Sequence, residues 1–484
     1  MFRRISIGII LTVLSLSMFP QDPWLTFGGP DNEEGFALCL TGDEGYLLAG
    51  STRSYGQGSW DMYAVKLDGQ GNLNWTKTFG WLHQDHFTSV IQLPDGYLFA
   101  GYAWDYGPGR EDIYLLKTDL SGNKIFDQLY GSNLMELGFR VKASQTGGFI
   151  ILGYSRSYEL HGDIYMMKTD AQGNEIWRSN FGTDYDDYAY NFTELSDGSL
   201  VIFGSVGSFN DDVHYNYQRE SADWILIRTD SEGDETWRKI FTGAGHDLAR
   251  DIIARSAGGY YLFGSTMSEG AGSFDMLLMQ VDENGNENWK KTFGGSDYEY
   301  GMSMDANADG DLYLLGSTKS FGQEGTPDFY LLKADGEGNV IWDLTLGGDL
   351  PDYGMQVQAT ADHGCAIFGK TGSYGAGGYD MLIAKVSADG MVEQLISGID
   401  TSENEQAVIY PNPVAGTGKL KPDDPTIEYR MDLVSITGTT VFSQVLYPPK
   451  YRFHVETLPA ELYVYRISAS KVKNRMFSGK LMIR

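Results

Sequence analysis

Between residues 24 and 394 the chain is built from short stretches in which apolar and polar side chains alternate, each bounded by Gly, Asp or Asn. Asp112-Ile-Tyr-Leu-Leu-Lys117 and Asp163-Ile-Tyr-Met-Met-Lys168 are typical. β-Branched and aromatic residues crowded into six positions between turn residues predict strands. Helix-period stretches with caps are nearly absent. The strands themselves recur: copies of one pattern open at Trp24, Trp75, Phe126, Trp177, Trp237, Trp289 and Trp342, spaced by 51, 51, 51, 60, 52 and 53 residues. Each copy reads as an aromatic opener, an F-G or G-G turn, an acidic residue and a strand. A D-G or G-G turn, an apolar strand carrying Gly near its end, a loop and a strand opened by Asp follow. That makes four strands per copy, one supersecondary unit per period. A lone four-stranded sheet cannot bury both faces, whereas packing such sheets radially does so and leaves only short edges. The pattern therefore predicts an all-β chain whose residues 18–398 form a seven-bladed β-propeller.

Three recurring positions have mechanical readings. Gly50 and its counterparts (Gly101, Gly153, Gly204, Gly264, Gly316, Gly369) mark a bend or close backbone approach in the second strand. Gly71 and its counterparts close an Asp-x-x-Gly turn. Asp61, Asp112, Asp163, Asp223, Asp275, Asp328 and Asp380 open the third strand, where a short carboxylate accepts nearby backbone N–H groups. Trp24-Leu-Thr-Phe-Gly-Gly29 matches a fourth strand yet precedes the first full set of the other three, so it is expected to complete the seventh blade. Met391-Val-Glu-Gln-Leu395 is the competing closure.

Among known families, Trp289-Lys-Lys-Thr-Phe-Gly-Gly-Ser-Asp-Tyr-Glu-Tyr-Gly301 with Asp309-Gly-Asp-Leu-Tyr-Leu-Leu-Gly-Ser-Thr318 is similar to the bacterial β-propeller repeat called SBBP. The resemblance spans most of residues 24–394 and implies a fold, not an activity. At the start, Arg3 and Arg4 precede an apolar run from Ile5 to Leu16, the form of a secretory signal peptide over 1–17. No other long apolar stretch occurs, so no transmembrane segment is expected after its removal. At the end, residues 400–484 carry a charge of +2; removing that and the +2 of the signal segment from the total of −29 leaves −33 on 18–399. The contrast places a linker at 399–407 and a separate domain at 408–484. That tail resembles the C-terminal sorting domain of type IX secretion substrates from Bacteroidetes-like bacteria, on Ile409-Tyr-Pro-Asn-Pro413, Met431-Asp-Leu-Val-Ser-Ile-Thr-Gly438, Leu458-Pro-Ala-Glu-Leu-Tyr-Val-Tyr-Arg-Ile467 and Lys480-Leu-Met-Ile-Arg484. Where that family usually has Gly before the Tyr, this chain carries Glu461 and Leu462. The resemblance implies a small Ig-like β-sandwich recognised by the type IX machinery, with the cargo secreted or attached to the outer cell surface.

Strands that alternate in direction put the second-to-third loops on the same face as the fourth-to-first connections. These loops mix Tyr, Trp and Phe with Ser and Gly, a composition suited to adaptable protein or glycan contact. The binding candidates are Trp60, Trp104, Tyr106, Tyr158, Phe209, Tyr215, Tyr217, Phe274, Phe321, Tyr374 and Tyr379, the alternative being that they pack between loops. On the same face stand Glu33, Asp85, Glu136, Asp187, Asp247, Glu299 and Asp352, each before an innermost strand. They either ring a channel mouth or each bonds its own turn. Asp305, Asn307 and Asp309 fit half of a calcium loop, but position twelve is Gly316 rather than Glu, so calcium is a weak candidate and no other cofactor is implied. Cys39 and Cys365 fall in blades that ring closure makes neighbours and are expected as buried thiols, a bridge being the alternative. No nucleophile elbow, P-loop, dinucleotide fingerprint or His-x-x-x-His pair occurs. The charge of −33 disfavours nucleic acid. The expectation is an exported, non-catalytic binding or scaffold protein; the alternative is a secreted carbohydrate-active enzyme using carboxylates of the same face.

Overall fold

The computed structural model describes residues 23–104, 107, 109–156, 161–207, 222–322, 325–393 and 395. In the tail it describes 408–410, 417–421, 428–434, 440–448, 452–455, 458–459, 462–469 and 476–482. The expected signal segment and linker, and Tyr106, Tyr158, Phe209, Tyr215 and Tyr217, lie outside the described residues.

Seven antiparallel sheets follow one another along residues 25–393. In blade one the innermost strand is Glu33–Leu40, followed outward by Tyr46–Thr52, Asp61–Leu67 and Leu73–Phe79. Every inner strand carries a β-bulge against the second, as between Gly35 and Ala37 or Gly301 and Ser303. The glycine of the second strand stands opposite. A Cβ on Gly316 would sit 1.7 Å from the Tyr300 carbonyl oxygen, so only glycine lets the bulged strand pass. The Asp-x-x-Gly turns are tight for a second reason. Gly233 has φ 84°, and its Cα faces the Trp177 ring of the preceding blade, to which a Cβ would approach within 2.6 Å. The aromatic opener of one blade thus lies flat on the turn of the next, and the Trp75 and Trp342 indole N–H groups donate to the Leu120 and Ala388 carbonyls of those turns.

The apolar core lies in the seams between blades. Met62 and Ala64 of blade one pack with Phe87 and Phe99 of blade two, and Phe368 and Met381 of blade seven pack with Leu38 and Tyr63 of blade one. The ring is therefore closed. Its closing strand is composite: Leu25–Phe27 pairs with Met381–Ile383 of the third strand of blade seven, and Val392–Glu393 pairs with Lys385–Val386 of the same strand. Both sequence-expected segments contribute, the first for three residues and the second for two. Where other seams have a ring over the turn glycine, Gly71 meets Leu25 and Leu395.

The inner strands leave one edge toward the axis without a backbone partner. Polar side chains of the neighbouring inner strand fill that role. Gln356 and Gln358 accept from the Leu38 and Leu40 N–H groups at 2.8 and 2.7 Å, Ser89 from Val141 at 3.1 Å, Asp251 from Met304 at 2.8 Å and Asp305 from Ala359 at 2.8 Å. Lys142 donates to the Phe192 carbonyl. These bonds satisfy part of the inner edges and tie neighbouring blades together.

The tail strands form a three-stranded sheet (Val408–Tyr410, Thr417–Lys421, Arg452–His454) and a four-stranded one in the order Thr440–Leu446, Tyr429–Val434, Leu462–Ala469, Met476–Met482. In Tyr429–Val434 the residues Tyr429, Met431 and Leu433 are buried and Arg430 is exposed, the alternation of a sheet with one covered face. Among the described residues no helix is long and apolar enough to cross a membrane.

Candidate functional site

The looped face is assembled from a repeated stitch. At six of the seven junctions the last residue before a third strand accepts the N–H of the acidic residue at the start of the next blade's inner strand. Trp60 O receives Asp85 N at 3.0 Å, Phe274 O receives Glu299 N at 2.7 Å and, across the closure, Tyr379 O receives Glu33 N at 2.6 Å. The acidic side chains then turn inward. Glu33, Asp85, Glu136, Asp187, Asp247, Glu299 and Asp352 are at most 6 % exposed, so none is presented to solvent. Glu33 accepts from Gly29 N at 2.7 Å and Thr52 Oγ1 at 2.6 Å; Glu299 repeats this with Gly295 N and Thr318 Oγ1, both at 2.7 Å. Asp352 holds Gly348 N and Ser373 Oγ, and Asp85 holds Trp81 N. These carboxylates thus clamp the turn before them to the loop beside them, which fixes the backbone from which the loop side chains project; Asp247 alone bonds only its loop, through Thr266 and Ser268, while the Gly243 N–H goes to Asp223.

Most of these acids lie close to the aspartate opening a third strand, with a turn glycine between. A Cβ on Gly28 would meet Asp380 Oδ1 at 1.6 Å and Glu33 Oε2 at 2.3 Å. Burial pushes Asp85 up to about 6, and burial together with the neighbouring Glu33 does the same for Asp380. Paired carboxylates of this kind recur around the ring, at Gly294 and Gly347 as well. Repetition and burial give no single pair a distinct chemical role.

Above the clamps lies a rim of rings and cations. On blades one and two, Trp60 stands 5.7 Å from the His86 ring, which stacks on Tyr102 at 5.0 Å. Burial pushes the His86 imidazole down to about 4, so it is neutral, and Nδ1 bonds the Ser51 hydroxyl at 2.9 Å. Arg53 covers Trp60 at 5.4 Å and Arg110 covers Trp104 at 5.6 Å. The two tryptophans hold one segment between them: Trp60 bridges Gln84, and Trp104 N donates to Gln84 O at 3.1 Å. On blades five to seven, Phe274, Tyr300 and Tyr298 follow at 4.9 and 5.0 Å, Lys319 covers Tyr298, and Lys370 lies over both Tyr353 and Tyr379. Lys370 also pairs with Glu34 at 2.7 Å, joining blade seven to blade one.

The described candidates from the sequence thus separate. Trp60, Trp104, Phe274 and Tyr379 belong to this rim and are half-buried. Tyr374 turns into the seam, its hydroxyl donating to Gly347 O at 2.6 Å and its ring 4.7 Å from Trp24. Phe321 holds the same loop position one blade earlier, 5.2 Å from Tyr330, but is 46% exposed. Sequence reading missed Arg53, Arg110, Lys370, His86, Tyr300 and Tyr353. The last three follow the clamp acids directly, a recurring position that counting from each acid would have exposed.

Asp305, Asn307 and Asp309 engage different partners. Asp305 accepts from Ala306 and Ala359 N–H groups and burial pushes it up to about 6; Asn307 caps the turn to Asp311; Asp309 pairs with His363 at 2.7 Å. Among the described residues no group of three His, Cys, Asp or Glu is gathered to hold a metal ion. Cys39 and Cys365 are free and buried, and burial pushes both thiols up.

No family model matches the chain, and no curated protein matches it. Solved structures are similar over most of its length. They include the extracellular domain of a one-component system from B. thetaiotaomicron (10% identity, TM-score 0.41, covering 94% of this chain and 57% of that one). Puromycin hydrolase matches at 10% identity and TM-score 0.47, over 89% of this chain and 58% of its own. The β-propeller domain of the Trilobed protease from Pyrococcus furiosus matches at 10% identity and TM-score 0.44, over 78% of this chain and 99% of that one. The likeness is one of fold, and this chain spans little more than half the length of the first two.

Proposed function

We propose that the chain is an exported binding protein that engages a protein or glycan through the rim of its looped face, with the tail directing type IX export to the cell surface or beyond. The observation that carries this reading is the pairing of Trp60 with Arg53 and of Trp104 with Arg110 on loops otherwise rich in Ser and Gly. Trp and Arg are the side chains that dominate binding hot spots, and here the clamp acids hold their backbones before any ligand arrives. The export half rests on the apolar leader and on the tail residues that resemble a sorting domain.

The test is a screen of the purified chain against polysaccharides and surface proteins by calorimetry. The double substitution Trp60→Ala and Trp104→Ala is expected to weaken saturable binding at least tenfold, about 1.4 kcal/mol, with unfolding still cooperative. Unchanged binding would remove the rim from the account. Turnover of a polysaccharide, abolished by one carboxylate substitution, would replace the binding reading with a carbohydrate-active enzyme.

A further inference from the structure

Six of the seven fourth strands are followed directly by glycine, as Phe27 is by Gly28. The structure gives that glycine a reason. A Cβ on Gly28 would fall 1.6 Å from Asp380 Oδ1 and 2.3 Å from Glu33 Oε2, and one on Gly294 would fall 1.8 Å from Asp275 Oδ1 and 2.5 Å from Glu299 Oε2. Only a residue without a side chain lets the carboxyl group of one blade reach that of the next. The seam of blades four and five has Thr242 at this place, and there Asp223 is half-buried and accepts from Gly243 N at 2.9 Å instead.

At the ring closure every carboxyl oxygen of the pair but one has a donor. Glu33 accepts from Gly29 N at 2.7 Å, Thr52 Oγ1 at 2.6 Å and Ser54 N at 3.3 Å. Asp380 Oδ2 accepts from Ala376 N at 2.8 Å and Gly377 N at 3.4 Å. Asp380 Oδ1 has no donor, although the residue is only 1% exposed. It lies within hydrogen-bonding reach of Glu33 once one of the two carries a proton. The ionisable groups around them bring no counter-charge. Tyr55 and Tyr63 are phenols that burial pushes up, Lys370 is engaged by Glu34, and Asp31 is exposed. Asp112 repeats the situation beside Glu136, being fully buried with an Oδ1 that has no donor. Two buried carboxyl groups in contact cannot both ionise without cost.

We propose that Asp380 and Glu33 share one proton, held on Asp380 Oδ1 and donated to Glu33 Oε2, and that this proton latches blade seven to blade one beside the closing strand. Three donors on Glu33 favour its ionised form and leave the proton to the acid with the orphaned oxygen. A proton needs only these two oxygens, whereas calcium takes about six to eight. Burial together with Glu33 keeps the Asp380 proton in place up to about 6. As pH rises through that value the proton passes to solvent and two carboxylates face each other, so the stability the latch contributes is complete in acid and lost toward neutrality. Glu33 also holds Thr52 and Ser54, which flank Arg53, so the looped face is the part that loosens. Asp112 and Glu136 form a second latch of the same kind, and Asp223 forms none. The latch does not depend on any ligand of the rim.

The experiment follows urea unfolding of the full chain, and the infrared band of protonated carboxylic acids, at about pH 5 and about pH 8. Wild type is expected to show the band at the lower pH and lose it at the higher, with a falling urea midpoint. Asp380→Asn keeps an acceptor for Ala376 N and puts an amide N–H where the proton stood. It is expected to match wild type at the lower pH, exceed its midpoint at the higher and diminish the acid band. Asp223→Asn is expected to bring no gain at the higher pH. Should Asp380→Asn fail to fold, Asp112→Asn carries the same comparison. A midpoint below wild type at the higher pH for the substituted latch, or no acid band in wild type at the lower pH, overturns the proposal. Calcium that restores the wild-type midpoint at the higher pH, with no effect on Asp380→Asn, assigns the pair to a metal ion and overturns it as well.

Discussion

Glu33 and its six counterparts illustrate how a carboxylate in a repeat becomes a clamp. Glu33 accepts from a turn N–H, a loop hydroxyl and the Ser54 N–H, and the side chain is out of reach of solvent. Burial of so many acids has a pH consequence. Asp85, Asp305 and Asp380 are pushed up to about 6 in the folded chain from 3.8. Between those values the folded chain binds protons that the unfolded chain has released, so stability falls as pH rises through the window and is complete below it. The urea midpoint is expected to be higher at pH 4.5 than at pH 7, by on the order of 1 kcal/mol per group, and Asp305→Asn should flatten part of that slope. Asp362, whose own burial is outweighed by Lys385 and Thr360, stays at about 2 and loses its contribution only below the window. A second residue-scale prediction concerns the bulge. Gly316→Ala places a Cβ against the Tyr300 carbonyl and is expected to cost about 1–3 kcal/mol in denaturant unfolding, whereas Gly310→Ala, with nothing within 4 Å but a φ of 88°, tests strain without contact.

At the scale of the element, the closing strand decides how the wheel holds together. Leu25–Phe27 and Val392–Glu393 divide one strand's work, so neither alone covers the edge of Asp380–Val386. Deleting residues 23–29 leaves Met381–Ile383 unpaired and is expected to cause concentration-dependent self-association, measured by sedimentation, because a bare central edge recruits another strand. Monomeric behaviour at all concentrations would mean that Val392–Glu393 suffices. This closure was half legible in the sequence. Phe27 and Gly28 repeat the Phe79–Gly80 pattern, so the N-terminal segment declared itself. The segment around Val392 lacks an aromatic opener: counted from Gly390 that place falls on Gln394, while Glu393 stands opposite Lys385 and bonds it, which left the segment as only a competing closure in the sequence.

For the whole molecule, blade number and strand order followed from the period, because seven copies of one pattern leave few ways to bury their faces. The site was legible only in part. Trp60 and Trp104 stood out as aromatics among Ser and Gly, but whether a loop ring meets solvent or a seam depends on which neighbour the closed ring brings beside it. Tyr374 and Trp60 look alike in sequence and differ there. The closed ring positions the whole looped face, and the contact across its closure uses two native side chains 336 positions apart: Lys370 Nζ and Glu34 Oε1, at 2.7 Å. Carbodiimide coupling followed by peptide mass spectrometry of the monomer is expected to recover an amide between Lys370 and Glu34, alongside the Lys319–Asp297 link within one blade as a control. Recovery of the control link without the Lys370–Glu34 link in the monomer would contradict the closed seven-bladed ring.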